Sequence, residues 1–290
     1  MRFFDLHSDT LYKAHNINKH LDSDCFHFSK KQSELLFEDF SQCLAIWIPD
    51  DLPNISAREL FDACLRKFNS EVSSDDKKRL ILTLENARII EKDLNYIYHL
   101  KESGIRIITL TWNAENCIGG GADTKGKGLT DFGKKALKVI EDNNIIVDIS
   151  HASDMLFYDV LSNTSKPIVA THSNARSLCG HRRNLTDEQF IEIVKRKGLV
   201  GLNFCEFFLN NEPSDASALD VLRHAYHFLS LGGEDVLAIG TDFDGADVPR
   251  DLMGTKHIPY LYETFIKGGF NQQIVQKIMY DNAHNFCMNF

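Results

Sequence analysis

Arg2-Phe3-Phe4-Asp5-Leu6-His7-Ser8-Asp9 is a short apolar run that ends in two metal-binding side chains spaced i, i+2. Side chains alternate across a strand, so His7 and Asp9 project to the same side at its carboxyl end. That end is where α/β barrels keep their chemistry. The pattern recurs down the chain. Arg79-Leu80-Ile81-Leu82-Thr83-Leu84 ends in Glu85, Ile145-Ile146-Val147-Asp148-Ile149-Ser150 in His151, and Pro167-Ile168-Val169-Ala170-Thr171 in His172. Ala238-Ile239-Gly240-Thr241 runs into Asp242-Phe243-Asp244-Gly245. A lone histidine at a strand end reads as a packing residue, whereas five ends of this kind in one chain read as a shared site.

Working outward from these ends, eight strand-like runs appear, at 3–6, 43–48, 80–84, 105–111, 145–149, 168–170, 199–204 and 236–239. Helical patterns separate most of them. Residues 56–70 carry an apolar stripe, Thr186-Asp187-Glu188-Gln189 is a capping box, and residues 217–231 are amphipathic and stop at Gly232-Gly233. Strand and helix alternating about eight times predict an α/β fold, a (β/α)8 TIM barrel rather than an open sheet. No linker or repeat divides the chain, so residues 1–290 are expected to form a single domain. Residues 271–290 read as one closing helix, with His284 on it far from any strand end. Gly119-Gly120-Gly121 after the fourth strand fits neither a P-loop nor a dinucleotide fingerprint and reads as a mobile loop over the barrel mouth.

Length and composition agree with this reading. The chain has 290 residues, 43% of them hydrophobic, against roughly 250 for a typical barrel. A net charge of -9 and a pI near 5.7 argue against nucleic acid as a partner, which needs clustered Lys and Arg. Seven cysteines without a C-x-x-C pair fit neither a disulfide framework nor a zinc knuckle. With no signal-like start and no run of about 20 apolar residues, the expectation is a cytoplasmic protein with no membrane partner.

His7, Asp9, Glu85, His151 and His172 offer three imidazoles and two carboxylates, a donor set that suits zinc. Five ligands exceed what one catalytic zinc uses, so two metals sharing a bridging carboxylate fit better. Such a pair activates a bridging water and polarises a carbonyl, which is hydrolytic chemistry. Asp242, which completes the last strand, is the expected proton shuttle; Asp244 serves equally as a turn or cap residue.

The ordered set Asp5-Leu6-His7-Ser8-Asp9-Thr10, Thr83-Leu84-Glu85-Asn86, Gly128-Leu129-Thr130-Asp131-Phe132-Gly133, Val147-Asp148-Ile149-Ser150-His151, Thr171-His172-Ser173, Arg182-Arg183-Asn184 and Gly240-Thr241-Asp242-Phe243-Asp244-Gly245 resembles the membrane (renal-type) dipeptidase family of zinc peptidases, in its bacterial form. The resemblance spans essentially the whole chain. It implies an amidohydrolase-like, metal-dependent hydrolase barrel and on it a binuclear zinc metallodipeptidase that hydrolyses free dipeptides through a metal-bridging hydroxide, with two zinc ions per chain bridged by Glu85. His7 and Asp9 would hold one ion, and His151 and His172 the other. By the same resemblance Arg183 grips the substrate's free carboxylate, Asp242 handles the proton, and a homodimer is the expected assembly. One departure is clear. Better-known members place a histidine after the fourth strand, against the reacting carbonyl, where this chain has Trp112-Asn113. Indole N–H is a donor of different geometry, and Asn113 is the other residue able to supply the contact. The alternatives are another barrel metal hydrolase, acting on a lactone, cyclic amide or phosphoester, and a non-catalytic barrel that binds metal or peptides.

Overall fold

The eight runs form strands β1 (Arg2–Asp5), β2 (Asp39–Trp47), β3 (Leu80–Glu85), β4 (Ile107–Thr109), β5 (Ile146–Asp148), β6 (Val169–Ala170), β7 (Leu199–Leu202) and β8 (Leu237–Ile239) in a computed structural model that describes residues 1–52 and 54–289. Each strand pairs in parallel with the next, and β8 closes on β1 where Asp5 stands opposite Ile239. The result is a closed (β/α)8 barrel. Its strands read as near-continuous apolar runs because both faces are covered, by helices outside and by packed side chains within.

Two apolar layers result. The outer one lies between strands and helices and includes Leu44, Leu84, Ile108, Val200 and Ile239. The inner one fills the barrel with Phe4, Leu6, Cys43, Ile107, Ile146, Val169, Leu199 and Ala238, and Tyr280, Ala283 and Cys287 plug it from below. The floor is therefore made by the C-terminal segment. The expected single helix over 271–290 is instead Gln272–Gln276, a π-turn over Lys277–Asp281, and Asn282–Asn289, while Phe290 lies outside the described residues. The inserted residue lets Tyr280 and Asp281 both face β1: Arg2 sits 4.6 Å from the Tyr280 ring and 2.8 Å from Asp281 Oδ1. No helix among the described residues is long and apolar enough to cross a membrane.

Register decides the site. Trp47 stands opposite Glu85, Glu85 opposite Thr109, and Thr109 opposite Asp148, so the strand-end residues share one rim. The helix Asp187–Lys195 starts on the Thr186/Gln189 capping box, and Asn54–Glu71 and Ala218–Ser230 form where amphipathic stripes stand. The glycine cluster corrects the expectation of a mobile loop. Gly121 bridges to Ala152, and a Cβ at this position would lie 2.1 Å from the Trp112 carbonyl oxygen. Glycine stands there because two loop backbones pack against each other.

Candidate metal centre

Two buried aspartates underlie the rim, one on each side of the barrel. Asp5, at the end of β1, accepts from the His7 amide (3.2 Å), Gln42 Nε2 (2.8 Å), the Thr241 amide (2.8 Å) and Thr241 Oγ1 (2.6 Å). Asp148, at the end of β5, accepts from the Ser150 amide (2.9 Å), the Thr171 amide (3.0 Å), Thr171 Oγ1 (2.7 Å) and Thr109 Oγ1 (2.6 Å). Each carboxylate thus pins one strand end, at His7 or just before His151, and the threonine just before another, Asp242 or His172. Neither aspartate was picked out from the sequence. The available signal was a carboxylate inside an apolar strand run, Phe4-Asp5-Leu6 and Val147-Asp148-Ile149, where burial demands dedicated donors.

On this support the five expected ligand residues converge. His7 Nε2 is 3.4 Å from Asp9 Oδ2 and 3.5 Å from Glu85 Oε2. On the other side, Glu85 Oε1 is 2.9 Å from His151 Nε2 and 3.9 Å from His172 Nε2. The last two nitrogens are 3.0 Å apart, and the His7 and His172 rings are 3.9 Å apart between centroids. His7 Nε2 and Asp9 Oδ1 are buried and have no hydrogen-bond partner. Buried polar atoms left unpaired, and imidazole nitrogens facing each other at hydrogen-bond distance, are what a donor set for a cation looks like. His7, Asp9 and Asp242 also bring ligand atoms within 4.8 Å of one another.

The backbone holds strain at the same places. His151, Asp242 and Asp244 have φ of 67°, 61° and 68°, in the left-handed region that costs a non-glycine residue on the order of 1 kcal/mol. Gly245 lies against Asp9 and Asp242, and a Cβ there would meet Asp9 Oδ2 at 2.0 Å and Asp242 Oδ1 at 2.7 Å. Asp242 accepts from Asn203 Nδ2 at 3.1 Å. Asp244 is differently engaged: Thr10 Oγ1, Lys13 Nζ and the amides of His27 and Phe28 all donate to it, fastening the β1–β2 connection to the rim.

The rim opens into a cavity of about 560 Å³. One wall is aromatic, with Tyr12, Trp47 and Trp112 edge to face at 4.9 and 5.0 Å. Opposite stands buried Arg183, its guanidinium 5.4 Å from the Phe208 ring, its Nη2 3.4 Å from the His172 carbonyl oxygen and its Nε without a partner. Tyr12 and Phe208 come from the short helices Thr10–Asn16 and Glu206–Leu209, and Trp47 and Asn203 from strand ends, and their meeting leaves no local sequence signal. Asn113 turns its amide oxygen to His151 Nδ1 at 2.9 Å. A larger cavity of about 840 Å³ opens at the barrel's other end between Phe68, Lys77, Arg106 and Met288, and none of the strand-end residues lines it.

The charges are unequal across the rim. Burial and the charge of Asp9 raise Glu85 to about 7, and burial likewise raises Asp242. Burial disfavours protonated His7, but Glu85 and Asp9 outweigh it and hold His7 well above the ordinary histidine range. His151 and His172 are pushed well below that range, by burial first and then by the positive charges of Arg183 and His7. Burial also lowers Arg183.

A closed barrel whose rim collects imidazoles and carboxylates around unpaired buried donor atoms belongs to the class of metal-dependent barrel hydrolases. The membrane dipeptidase family model (peptidase family M19) matches residues 63–286, and the chain belongs to that family of metallo-dipeptidases. A Klebsiella pneumoniae protein, described as uncharacterized and encoded in the pqqA 5′ region, is 31% identical over 230 residues, 76% of this chain and 85% of its own. Among solved structures, the M19 metallopeptidase "dipeptidase AC" superposes with a TM-score of 0.90 at 24% identity, covering 99% of this chain and 98% of its own. A Rhodobacter sphaeroides metallopeptidase, liganded with a phosphinate mimic of the dipeptide L-Ala-D-Ala, gives a TM-score of 0.91 at 23% identity, with 99% of each chain covered.

Proposed function

We propose that this protein is a two-zinc dipeptidase that hydrolyses the peptide bond of free dipeptides. The observation that carries the reading is Glu85, whose Oε2 faces His7 at 3.5 Å while its Oε1 faces His151 at 2.9 Å. His7 and Asp9 would hold one zinc, His151 and His172 the other, and Glu85 would serve both. Bound there, zinc supplies Lewis-acid polarisation of the peptide carbonyl and a water of lowered pKa. The carboxylates raised by burial and mutual repulsion favour the same reading, since cations relieve both.

The remaining steps fall to the chain's own side chains. Arg183 receives the substrate's terminal carboxylate: its guanidinium is desolvated, weakly bonded within the protein, and unpartnered at Nε. Asp242, whose pKa burial raises, passes the proton to the leaving amine, with Asn203 fixing its orientation. Asp244, with four donors of its own, holds the loop. Trp112 with Trp47 and Tyr12 narrows the pocket, which favours small side chains next to the scissile bond. Alanine-sized residues, as in the ligand of the Rhodobacter structure, would fit.

Reconstitution with zinc followed by a panel of dipeptides, N-acyl amino acids and lactones tests the reading. Free dipeptides with small side chains should turn over fastest. Turnover confined to lactones or N-acyl amino acids would move the protein to the other barrel hydrolases.

A further inference from the structure

We propose that Asn113 is a positioning residue that holds His151 in the tautomer presenting Nε2 to the metal site. The inference rests on the two-zinc reading and extends it to a residue outside the ligand set. An imidazole that offers Nε2 as a lone pair carries its proton on Nδ1, and that proton needs an acceptor. At His151 the acceptor is the Asn113 amide oxygen, 2.9 Å away. At His172 the same task falls to a different device. Thr171 Oγ1 lies 2.8 Å from His172 Nδ1 and donates its own proton to Asp148 at 2.7 Å, so it is left to accept. Two neighbouring imidazoles are set the same way, one by the residue beside it and one by a residue of another loop.

That other loop is held firmly enough to do this. The Ala114 amide donates to Asp50 Oδ2 at 2.8 Å, and the Gly121 amide donates to the Ala114 carbonyl at 3.0 Å. The Asp123 amide donates to the Asn113 carbonyl at 2.9 Å. Gly121 in turn bridges to Ala152, the residue after His151, so the two loops are tied on both sides of the Asn113–His151 contact. The glycine that a side chain would exclude from this junction is what brings Asn113 within reach. Trp112, the residue before it, lines the substrate cavity, so one loop shapes the pocket and orients a ligand.

Stepwise zinc affinity, measured by chelator competition on the full chain, separates this role from simple packing. Asn113→Leu should weaken the zinc step that depends on His151 by about 10- to 100-fold, the usual size for an outer partner of a metal ligand, and leave the other step unchanged. Asn113→Asp, which restores an oxygen acceptor, should return that step to the wild-type value or tighter. Unchanged affinities in Asn113→Leu would overturn the proposal. So would a loss that Asn113→Asp fails to rescue, since it would mean that the residue packs the loop. A wild-type chain that took up a single zinc would sink the shared-carboxylate reading instead, and the response of that zinc to Asn113→Leu would still decide the role of Asn113.

Discussion

The β1/β8 and β5/β6 halves of the rim rest on the same support and carry opposite chemistry. In both, a buried aspartate at a strand end takes the amide two residues on, together with the amide and hydroxyl of a threonine at the end of a neighbouring strand. Above Asp5 the support presents His7, Asp9 and Asp242, in which carboxylates dominate and, with Glu85, raise the pKa of the histidine. Above Asp148 it presents His151 and His172, which burial and Arg183 keep neutral. A repeated scaffold therefore builds one carboxylate-rich pole and one neutral nitrogen pole, and Glu85 reaches both. Under the proposed function, proton transfer would fall to the carboxylate-rich half and carboxylate recognition to the half bordered by Arg183.

The largest effect expected from that division concerns Asp242. Asp242→Asn removes a proton carrier while keeping its shape, so kcat should fall by about 10²–10⁴ with both zinc steps retained. Asp244→Asn should loosen the loop held by Thr10 and Lys13 and lower the melting temperature, with a smaller effect on kcat. Steady-state kinetics and thermal melts on the two variants check this, and the reverse ranking would move proton handling to Asp244.

The neutral half carries a second expectation, about acid. His224 lies beneath the loop after β6, accepting from the Ala175 amide at 3.1 Å and donating to the Leu209 carbonyl at 3.0 Å. Burial lowers its pKa to about 4. The unfolded chain therefore binds a proton near pH 6.5 that the folded chain refuses. The resulting stability is intact above that pH and is lost as pH falls towards 4, an amount of about 3 kcal/mol. Urea melts of the metal-free protein at pH 7 and pH 4 should show a smaller loss for His224→Gln than for wild type by roughly that amount. Equal losses would mean that His224 does not gate acid stability on this side.

Arg183 gives the smallest of the three. Losing a charge-assisted contact to the substrate carboxylate costs about 1.5–3 kcal/mol, roughly ten- to a hundredfold in binding. Arg183→Ala should raise KM by that factor for free dipeptides and change it little for C-terminally amidated ones. Equal damage to both substrates would assign the arginine to structure.

The barrel was legible because its signal is local: each strand is an apolar run, and each functional end is a polar residue that interrupts one. That His7, Asp9, Glu85, His151 and His172 meet was readable for the same reason, since parallel strands in register bring their carboxyl ends to one rim. What lay beneath the rim was not. Asp5 and Asp148 sit inside the runs, where alternation disguises a buried carboxylate as one more strand position. The π-turn at Lys277–Asp281 inserts one residue into a helical stripe, too little to disturb an apolar pattern over 271–290. Glycines 119–121 suggested looseness because composition reports freedom of the chain and is silent about what packs against it. Asn113 reaches the site on a loop and Phe208 on a four-residue helix, along paths that only tertiary contact defines.

The central claim is that one carboxylate serves two metal sites, and the most direct measurement is the zinc content of the reconstituted chain beside that of Glu85→Gln. Elemental analysis after dialysis should find two zinc ions per wild-type chain, and the variant should lose both together because each site gives up an anionic ligand. Fewer than two in the wild type, or a full pair retained in Glu85→Gln, would contradict the account.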